Sequence, residues 1–317
     1  MKRYGLLASI AALALVGCGG SNSGSASTPP PTGGQSPAPT PTPSATPTPS
    51  PTPTPDPTGF TRLVFEDQFA AGTLNRAIWN VEGPSFWVNN EQQAYVDSEE
   101  TIAFSSPAGA QDGAALVLRA RYREGFVTPT NRRVDFLSGR IDTANTLDVT
   151  YGRVESRIRM PRAQGAWPAF WMLGYGQWPD AGETDIMEYI GEAGWTSSSL
   201  HGPGYSAGGN IGDKQYFPAG QSEEEWHVYA VERRPDDIRF FVDDREFLKI
   251  TRADVEKKGA WRFDREQFLI LNLALGGEYP RGYNNVTAPY YGLPQATVDK
   301  IKADQIQVEI DWVRVYE

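Results

Sequence analysis

Residues 152–160 have the sequence GRVESRIRM, in which apolar or small side chains alternate with charged ones. This period of two predicts a half-buried β-strand. Related patterns predict further strands at residues 115–122, 226–232, 238–242, 267–275 and 306–316, whereas helical periodicity is limited to residues 252–258 and 297–304. Many strands, short turns and no alternation of strands with helices predict an all-β fold, an antiparallel β-sandwich.

A proline-rich segment precedes this sandwich. Of the 25 prolines in the chain, 13 lie between Pro29 and Pro57, in a stretch without aromatic residues. Such a segment cannot bury enough apolar surface to offset the entropy lost on ordering, so residues 18–58 are predicted to be a disordered linker. Residues 59–317 hold every tryptophan and phenylalanine and are predicted to form one domain.

Residues 1–17 have the pattern of a bacterial secretory signal peptide, because Lys2 and Arg3 precede a short apolar segment. That segment is shorter than the roughly 20 apolar residues that a transmembrane helix needs. It ends in the sequence LVGC at Cys18, the single cysteine of the chain, and this sequence resembles a bacterial lipobox. We therefore predict a secreted lipoprotein at the outer surface of the cell envelope, which contacts the membrane only through a lipid on Cys18. The alternative is an ordinary secreted protein with a chance cysteine.

The charge and the cysteine content exclude several classes of function. A net charge of −10, without a basic cluster, opposes binding to the phosphates of nucleic acids. One cysteine and two histidines exclude a disulfide framework and a zinc site of Cys and His ligands. A neutral substrate agrees best with the acidic net charge. We also expect the protein to be a monomer.

The segment most indicative of chemistry is GETDIMEY at residues 182–189, where three acidic residues lie within six positions. In a regular strand Glu183 and Asp185 share a face and Glu188 points away. One extra residue, a β-bulge near Ile186 and Met187, would return Glu188 to the face of Glu183. The two glutamate carboxyl groups would then approach to about 5 Å, a separation typical of retaining rather than inverting glycosidases.

The acidic segment resembles the Glu-x-Asp-x-x-Glu signature of glycoside hydrolase family 16, in its laminarinase-like, endo-β-1,3-glucanase form. The similarity extends over residues 60–317. Its motifs are NNEQ at 89–92 with Tyr95, SGR at 138–140, YGR at 151–153 with Glu155, WPAFWML at 167–173, HGPGY at 201–205, residues 271–277 and VRVY at 313–316. The resemblance implies a concanavalin-like jelly roll with a substrate cleft on its concave face.

By this resemblance Glu183 is the nucleophile, which forms a glycosyl-enzyme. Glu188 is the general acid and then the base that activates water. Asp185 would hydrogen-bond Glu183 and separate the pKa values of the two glutamates. The reaction needs no cofactor. The alternative interpretation of the three acids is a solvated turn or a metal site.

Aromatic side chains supply flat surfaces on which sugar rings stack. The resemblance places Trp167 on the cleft wall, whereas Trp171 belongs either to the wall or to the core. His201 either hydrogen-bonds near Glu188 or is a structural polar residue. The family positions that line the glycone subsites correspond to Trp87, Asn90, Glu91 and Arg140.

The sequence departs from the family pattern in the segment GGEYPR at residues 276–281. Many relatives carry Asn-Trp-Pro-Gly after the glycine pair, so Tyr279 would replace a stacking tryptophan at the cleft. Thr184 also replaces the usual aliphatic residue between the first two acids. Because Thr184 is expected to point to the opposite face, we expect little effect on the chemistry.

A structural calcium ion is common on the convex side of this family, away from the cleft. By position, its candidate ligands are Glu66, the backbone carbonyl of Gly113 and Asp311. Oxygen donors from distant segments suit Ca²⁺. The alternative is that these are ordinary surface groups.

The leading hypothesis is a retaining endo-β-glucanase that cleaves β-1,3 bonds in laminarin-like β-glucan, with mixed β-1,3/1,4-glucan as a second substrate. Alternatives within the family are an enzyme acting on agar or carrageenan, or a transglycosylase. An alternative of another class is a non-catalytic glucan-binding module, although such relatives typically lack the two glutamates. A Ser-His-Asp hydrolase is disfavoured because no nucleophile-elbow motif accompanies either histidine.

Overall fold

Two β-sheets of eight strands each pack face to face in the computed structural model, which describes residues 59–317. The first sheet has the spatial order β17 (Arg245–Thr251), β16 (Asp237–Val242), β15 (His227–Arg233), β10 (Gly152–Arg159), β19 (Gln307–Tyr316), β5 (Ala115–Arg119) and β4 (Ile102–Ser105), and β1 (Leu63–Asp67) pairs with β19. The predicted signal peptide, Cys18 and the linker lie outside the described residues. The predicted β-sandwich is confirmed.

The second sheet carries the acidic segment near its middle. Its spatial order is β14 (Ile211–Tyr216), β13 (Trp195–His201), β12 (Glu183–Glu188), β11 (Ala166–Gly174), β18 (Gln267–Leu275), β8 (Arg140–Asp142) and β2 (Asn80–Val81), and β9 (Asp148–Val149) pairs with β18. Every pairing in the two large sheets is antiparallel.

A small third sheet and three short helices complete the described part of the chain. The sheet has the order β3 (Gln93–Tyr95), β7 (Arg133–Ser138) and β6 (Arg121–Val127), and β3 and β7 run parallel. The helices are α1 (Arg252–Glu256), α2 (Glu278–Asn284) and α3 (Gln295–Lys302), with a 3₁₀ turn at Ala207–Gly209. Within residues 59–317, no helix has the length and apolar character needed to cross a bilayer.

The core lies between the two large sheets, where alternate residues of each strand meet. Val154 and Ile158 of β10 share one buried cluster with Phe170 and Met172 of β11 and Leu271 of β18. Burial of this apolar surface is the main force that stabilises the sandwich. The opposite face of the second sheet is thereby left open to hold a functional site.

Strand β10 is more buried than its sequence predicts. Arg153 and Glu155, on its charged face, are only 4% and 7% exposed. They are buried because the Arg153 guanidinium pairs with Glu155 and Glu232, which satisfies the charges away from water. A row of charged residues along one face of a strand thus does not by itself show that this face is exposed to solvent.

Two other strand predictions need adjustment. The predicted strand at residues 115–122 divides at Ala120 into β5 and β6, because the chain leaves the first sheet there for the small one. In β19 the pairing with β10 slips by one residue at Asp311, which accounts for the disturbed alternation near Trp312.

Candidate active site

A β-bulge in β12 sets the geometry of the site. Asp185 and Glu188 are three positions apart, yet they lie opposite Ser199 and Ser197, which are two positions apart on β13. The pairing with β11 slips at the same point, and Ile186 is the extra residue. The bulge predicted near Ile186 and Met187 is therefore present.

The bulge brings all three acids to the open face of the second sheet. On β11, Glu188, Asp185 and Glu183 lie opposite Ala169, Trp171 and Leu173, which alternate along the strand and so share one face. Ile186 and Met187 are buried in the core instead. Apolar packing below the strand thus fixes the positions of the acids above it.

Each glutamate accepts a hydrogen bond from a different tryptophan. The indole Nε1 of Trp178 donates to Glu183 Oε2 at 3.1 Å, and that of Trp167 donates to Glu188 Oε1 at 3.0 Å. Trp178 follows β11, and no periodic pattern in the sequence indicates it. Sequence reasoning missed this residue.

Asp185 lies in a polar group on the β13 side of the glutamates. It accepts a hydrogen bond from Ser199 Oγ at 2.5 Å, and His201 Nε2 lies 3.1 Å from its Oδ2. The same His201 nitrogen is 3.8 Å from Glu183 Oε1. His201 contacts this end of the strand rather than Glu188, because the register places it directly opposite Glu183.

Burial and charge perturb the pKa values of the site. Burial, and then the charge of Asp185, raise the pKa of Glu183 to about 7 and that of Glu188 to about 8. Burial lowers the pKa of His201, but its hydrogen bond with Asp185 and the nearby carboxylates more than offset this and raise it to about 9. The two glutamates therefore share a buried site that favours one ionised and one protonated carboxyl group, beside a histidine that favours its protonated form.

Trp171 and Arg140 lie next to the acids on the same open face. Trp171 donates its indole N–H to Asn272 at 2.7 Å, and the Arg140 guanidinium lies 4.9 Å from its ring centroid and 4.5 Å from that of Phe86. Arg140 is 7% exposed, and its Nε has no hydrogen-bond partner in the described structure. Trp171 thus belongs to the wall of the site rather than to the core.

Glu91 lies below the surface of the site. It is 6% exposed and accepts a hydrogen bond from Gln93 at 2.7 Å, and burial raises its pKa. Trp87 donates to the Glu91 carbonyl at 2.8 Å and remains half exposed, while Asn90 donates to Glu278. The backbone of Glu91 therefore positions Trp87, and direct contact of its carboxylate with a ligand stays a prediction.

Tyr279 projects from α2 toward the acids. Its ring packs edge-on against Trp167 at 5.5 Å between centroids, and its hydroxyl lies 3.0 Å from Ser197 Oγ. Burial and then the charge of Glu188 raise the pKa of Tyr279. The segment that departs from the family pattern thus lies beside the predicted acid.

The predicted calcium ligands already have other partners. Glu66 accepts a hydrogen bond from Arg314 at 2.7 Å, and Asp311 pairs with Arg157 and with the backbone N–H of Gln111. A calcium ion would compete with these guanidinium groups for the same carboxylate oxygens. Among the described residues no hydrogen bond joins Gly113 to either acid, and calcium stays a prediction.

One group of potential metal ligands was found in the described part of the chain, and it lies within the candidate site. Glu183, Asp185 and His201 can bring ligand atoms within 4.8 Å of one another. His201 Nε2 already contacts both carboxylates, whereas its buried Nδ1 has no hydrogen-bond partner among the described residues. The three predicted acids are therefore together, as the sequence indicated, and His201 joins them.

Paired carboxyl groups on the open face of a β-sandwich, flanked by aromatic side chains, define a glycoside hydrolase. The chain belongs to glycosyl hydrolases family 16, whose family model matches residues 82–314.

The sequence and the fold are similar to those of several glucanases. The chain is 32% identical over 276 residues to glucan endo-1,3-beta-glucosidase A1 of Niallia circulans, with 80% of this chain but only 38% of that protein covered. It is 32% identical to the beta-glucanase of Rhodothermus marinus, covering 80% of this chain and 84% of the relative. The structure of the endo-beta-1,3-glucanase from Pyrococcus furiosus aligns with a TM-score of 0.69 and 32% identity, over 81% of this chain and 94% of that one.

Proposed function

We propose that this protein is a retaining, endo-acting β-glucanase that hydrolyses β-1,3-glucosidic bonds. The observation that carries the proposal is the bulge at Ile186, which turns Glu183 and Glu188 to one face of β12. A nucleophile and a general acid need two carboxyl groups in different environments, and the separate indole donors of these two, with His201 beside Glu183, provide that difference.

The proposed reaction is a double displacement. Ionised Glu183 attacks the anomeric carbon, and the glycosidic bond breaks as Glu188 gives its proton to the departing oxygen. Glu188, now ionised, then takes a proton from water, whose oxygen attacks the same carbon and releases Glu183. Two inversions leave the configuration unchanged, and no step requires a cofactor.

Asp185 and His201 act through Glu183 in this scheme. The positive charge of His201 lowers the pKa of Glu183, which favours the ionised nucleophile. Asp185 holds that histidine through the 3.1 Å contact with Nε2. Asp185 thus orients the neighbours of the nucleophile, in place of the direct hydrogen bond to Glu183 expected from the sequence.

The names of the relatives support a β-1,3-glucan as the substrate. The Niallia and Pyrococcus enzymes are both named endo-1,3-glucanases or glucosidases, and the Rhodothermus protein is a beta-glucanase. We propose that Trp87, Asn90, Arg140 and Trp171 bind the glycone. Arg140 and Trp171 lie on the open face on the β11 side of the acids, and Trp87 and Asn90 are exposed in the loop before β3. Mixed β-1,3/1,4-glucan is the proposed second substrate.

The proposal is tested by incubating the enzyme with laminarin, lichenan and agarose side by side. We expect reducing ends from laminarin, a rapid fall in viscosity that marks endo action, and products that first appear as β-anomers in proton NMR. Release from agarose alone would favour the galactan-degrading alternative. Binding to laminarin without release of reducing ends would leave only the glucan-binding module.

We also propose that the domain is exported and held at the cell surface by a lipid on Cys18, as a monomer. The support is the charged start, the short apolar segment and the sequence LVGC, together with the proline-rich residues that follow. In a bacterial host, the full chain should incorporate a labelled fatty acid and sediment with membranes. Cys18→Ser should lose both properties without losing glucanase activity, and an unlabelled wild-type chain would refute the anchor.

A further inference from the structure

Three side chains form a cluster on the second sheet, beyond the catalytic strand. Lys214 of β14 places Nζ 3.7 Å from the ring centroid of Trp195 and 4.5 Å from that of Tyr283. The Trp195 and Tyr283 centroids are 5.4 Å apart. Tyr283 also packs on Tyr279, 5.6 Å away, so α2 connects this edge cluster (Trp195, Lys214 and Tyr283) to the acids.

The edge cluster lies on the same face as the acids. Ser197 of β13 is the Cα partner of Glu188 on one side and of Lys214 on the other. Trp195 is two residues from Ser197 along β13 and therefore points to the same face. Between the acids and the cluster, Tyr279 covers Ser197, with its hydroxyl 3.0 Å from Ser197 Oγ. The shallow part of the floor lies at Ser199 of β13 and its partner Gly212 of β14.

A bound sugar chain must cross β12 rather than run along it. Glu183 and Glu188 follow one another along the strand and flank the scissile bond, so the chain passes between them. Trp171 and Arg140, proposed to bind the glycone, occupy the β11 side. The other half of the chain, the leaving group, therefore extends over β13 and β14 toward the edge cluster.

The chemistry of the edge cluster suits a neutral sugar. Tyr283 is 44% exposed and offers an aromatic face for the C–H groups of a pyranose ring. Lys214 forms no ion pair among the described residues, whereas Lys249 and Lys257 pair with Asp237 and Asp254. Its ammonium is held over two rings, and its N–H donors are free for hydroxyl oxygens.

We propose that Trp195, Lys214 and Tyr283 form a subsite for the leaving-group sugar, a neutral glucosyl unit. The ring stacks on Tyr283, its hydroxyls accept hydrogen bonds from Lys214, and Trp195 holds the lysine from below. This inference rests on the proposed function, because it extends the same cleft by one or more sugar units.

The test compares two substrates in Lys214→Met, which keeps the length and apolar stem of the side chain but removes the charge. Laminari-oligosaccharides place sugars on both sides of the scissile bond, whereas an aryl β-laminaribioside places none on the leaving-group side. We expect kcat/KM on the oligosaccharides to fall about tenfold. The aryl substrate should be cleaved at the wild-type rate, which also verifies that the variant is folded.

Two further measurements sharpen the result. Lys302→Met is the matched control. Lys302, on α3, lies outside the site with its Nζ 4.4 Å from the ring centroid of Tyr122, so this substitution should change neither rate. Transfer to added laminaribiose should fall relative to hydrolysis in Lys214→Met. Equal losses on both substrates, or no loss on either, would overturn the subsite. A wild-type enzyme inactive on all β-1,3 substrates would instead overturn the proposed function.

Discussion

The indole N–H of Trp178 donates to Glu183 at 3.1 Å and thereby stabilises the ionised form of the proposed nucleophile. This hydrogen bond lowers the pKa of Glu183, against burial and the charge of Asp185, which raise it. The loop after β11 therefore tunes the protonation of a residue on β12. Both the position and the donor matter, because phenylalanine in this place would fill space without donating.

The first prediction concerns the pH dependence of kcat/KM. The reaction needs Glu183 ionised, with a pKa of about 7, and Glu188 protonated, with a pKa of about 8. Activity should therefore rise with pH near 7, as Glu183 loses its proton, and fall above about 8, as Glu188 loses its own. Initial rates on laminarin at subsaturating concentration measure the profile, and a flat profile across this range contradicts the assignment.

Trp178→Phe should move one limb of that profile. Loss of the indole donor raises the pKa of Glu183, so the rising limb should shift to higher pH by about 0.5–1 unit. Trp167→Phe is the matched variant, because Trp167 donates to Glu188 and its loss should shift the falling limb upward instead. If each substitution moves both limbs equally, the two indoles do not act on separate carboxyl groups.

The segment at residues 182–189 shows what the sequence can predict. The spacing of the three acids in the sequence predicted that one bulged residue is needed for all of them to share a face of the strand, and Ile186 is that residue. By contrast, the environment of His201 depends on strand register, which one strand does not reveal. The partner of Glu183 was hidden too, because Trp178 reaches it from a loop after the strand.

The charged face of β10 was mispredicted for a similar reason. Alternation in one strand indicates two faces but not what covers each of them. Arg153 pairs with Glu232 of β15 and with Asp244 of the turn before β17. Only the assembled sheet brings these residues together. Sequence reasoning is thus strongest for short-range geometry and weakest for polar groups satisfied across strands.

Glu183→Gln should reduce activity on laminarin by at least about a thousandfold, because the amide cannot form the glycosyl ester. The fold should remain intact. At pH 8 the wild-type carboxylate is a buried negative charge beside Asp185, and the neutral amide removes that repulsion. The melting temperature of the variant at pH 8 should thus equal or exceed that of the wild type. A folded variant with near-normal turnover would exclude Glu183 as the nucleophile.

Glu188→Gln should separate the two halves of the reaction. A dinitrophenyl glycoside has a leaving group that departs without a proton, so the first step should remain fast. The second step should be slow, since no base activates water. We expect a burst of dinitrophenol equal to the enzyme concentration, and a mass increase of one glycosyl unit on the peptide that contains Glu183. Steady release without a burst, or label on another peptide, would show that Glu188 is not the acid and base.

Arg233 is the strongest test of what holds the sandwich together. Its guanidinium is fully buried and donates to the carbonyls of Val149, in β9, and of Phe263 and Arg265, in the segment before β18. Arg233→Met keeps much of the volume but removes the donor from all three carbonyls, two of which are in buried hydrogen bonds. We expect the free energy of unfolding in urea to fall by about 3 kcal/mol or more.

The matched control for this prediction is Arg245→Met, at an exposed position of β17, which lies two strands from β15 in the same sheet. This substitution should change the unfolding free energy by less than about 0.5 kcal/mol. Activity at low temperature should survive in both variants, because Arg233 lies on the first sheet and the acids on the second. An unchanged stability of Arg233→Met would mean that water replaces the guanidinium at the three carbonyls. The loss should therefore appear in unfolding and not in the pH profile, which separates the role of this arginine from that of the catalytic strand.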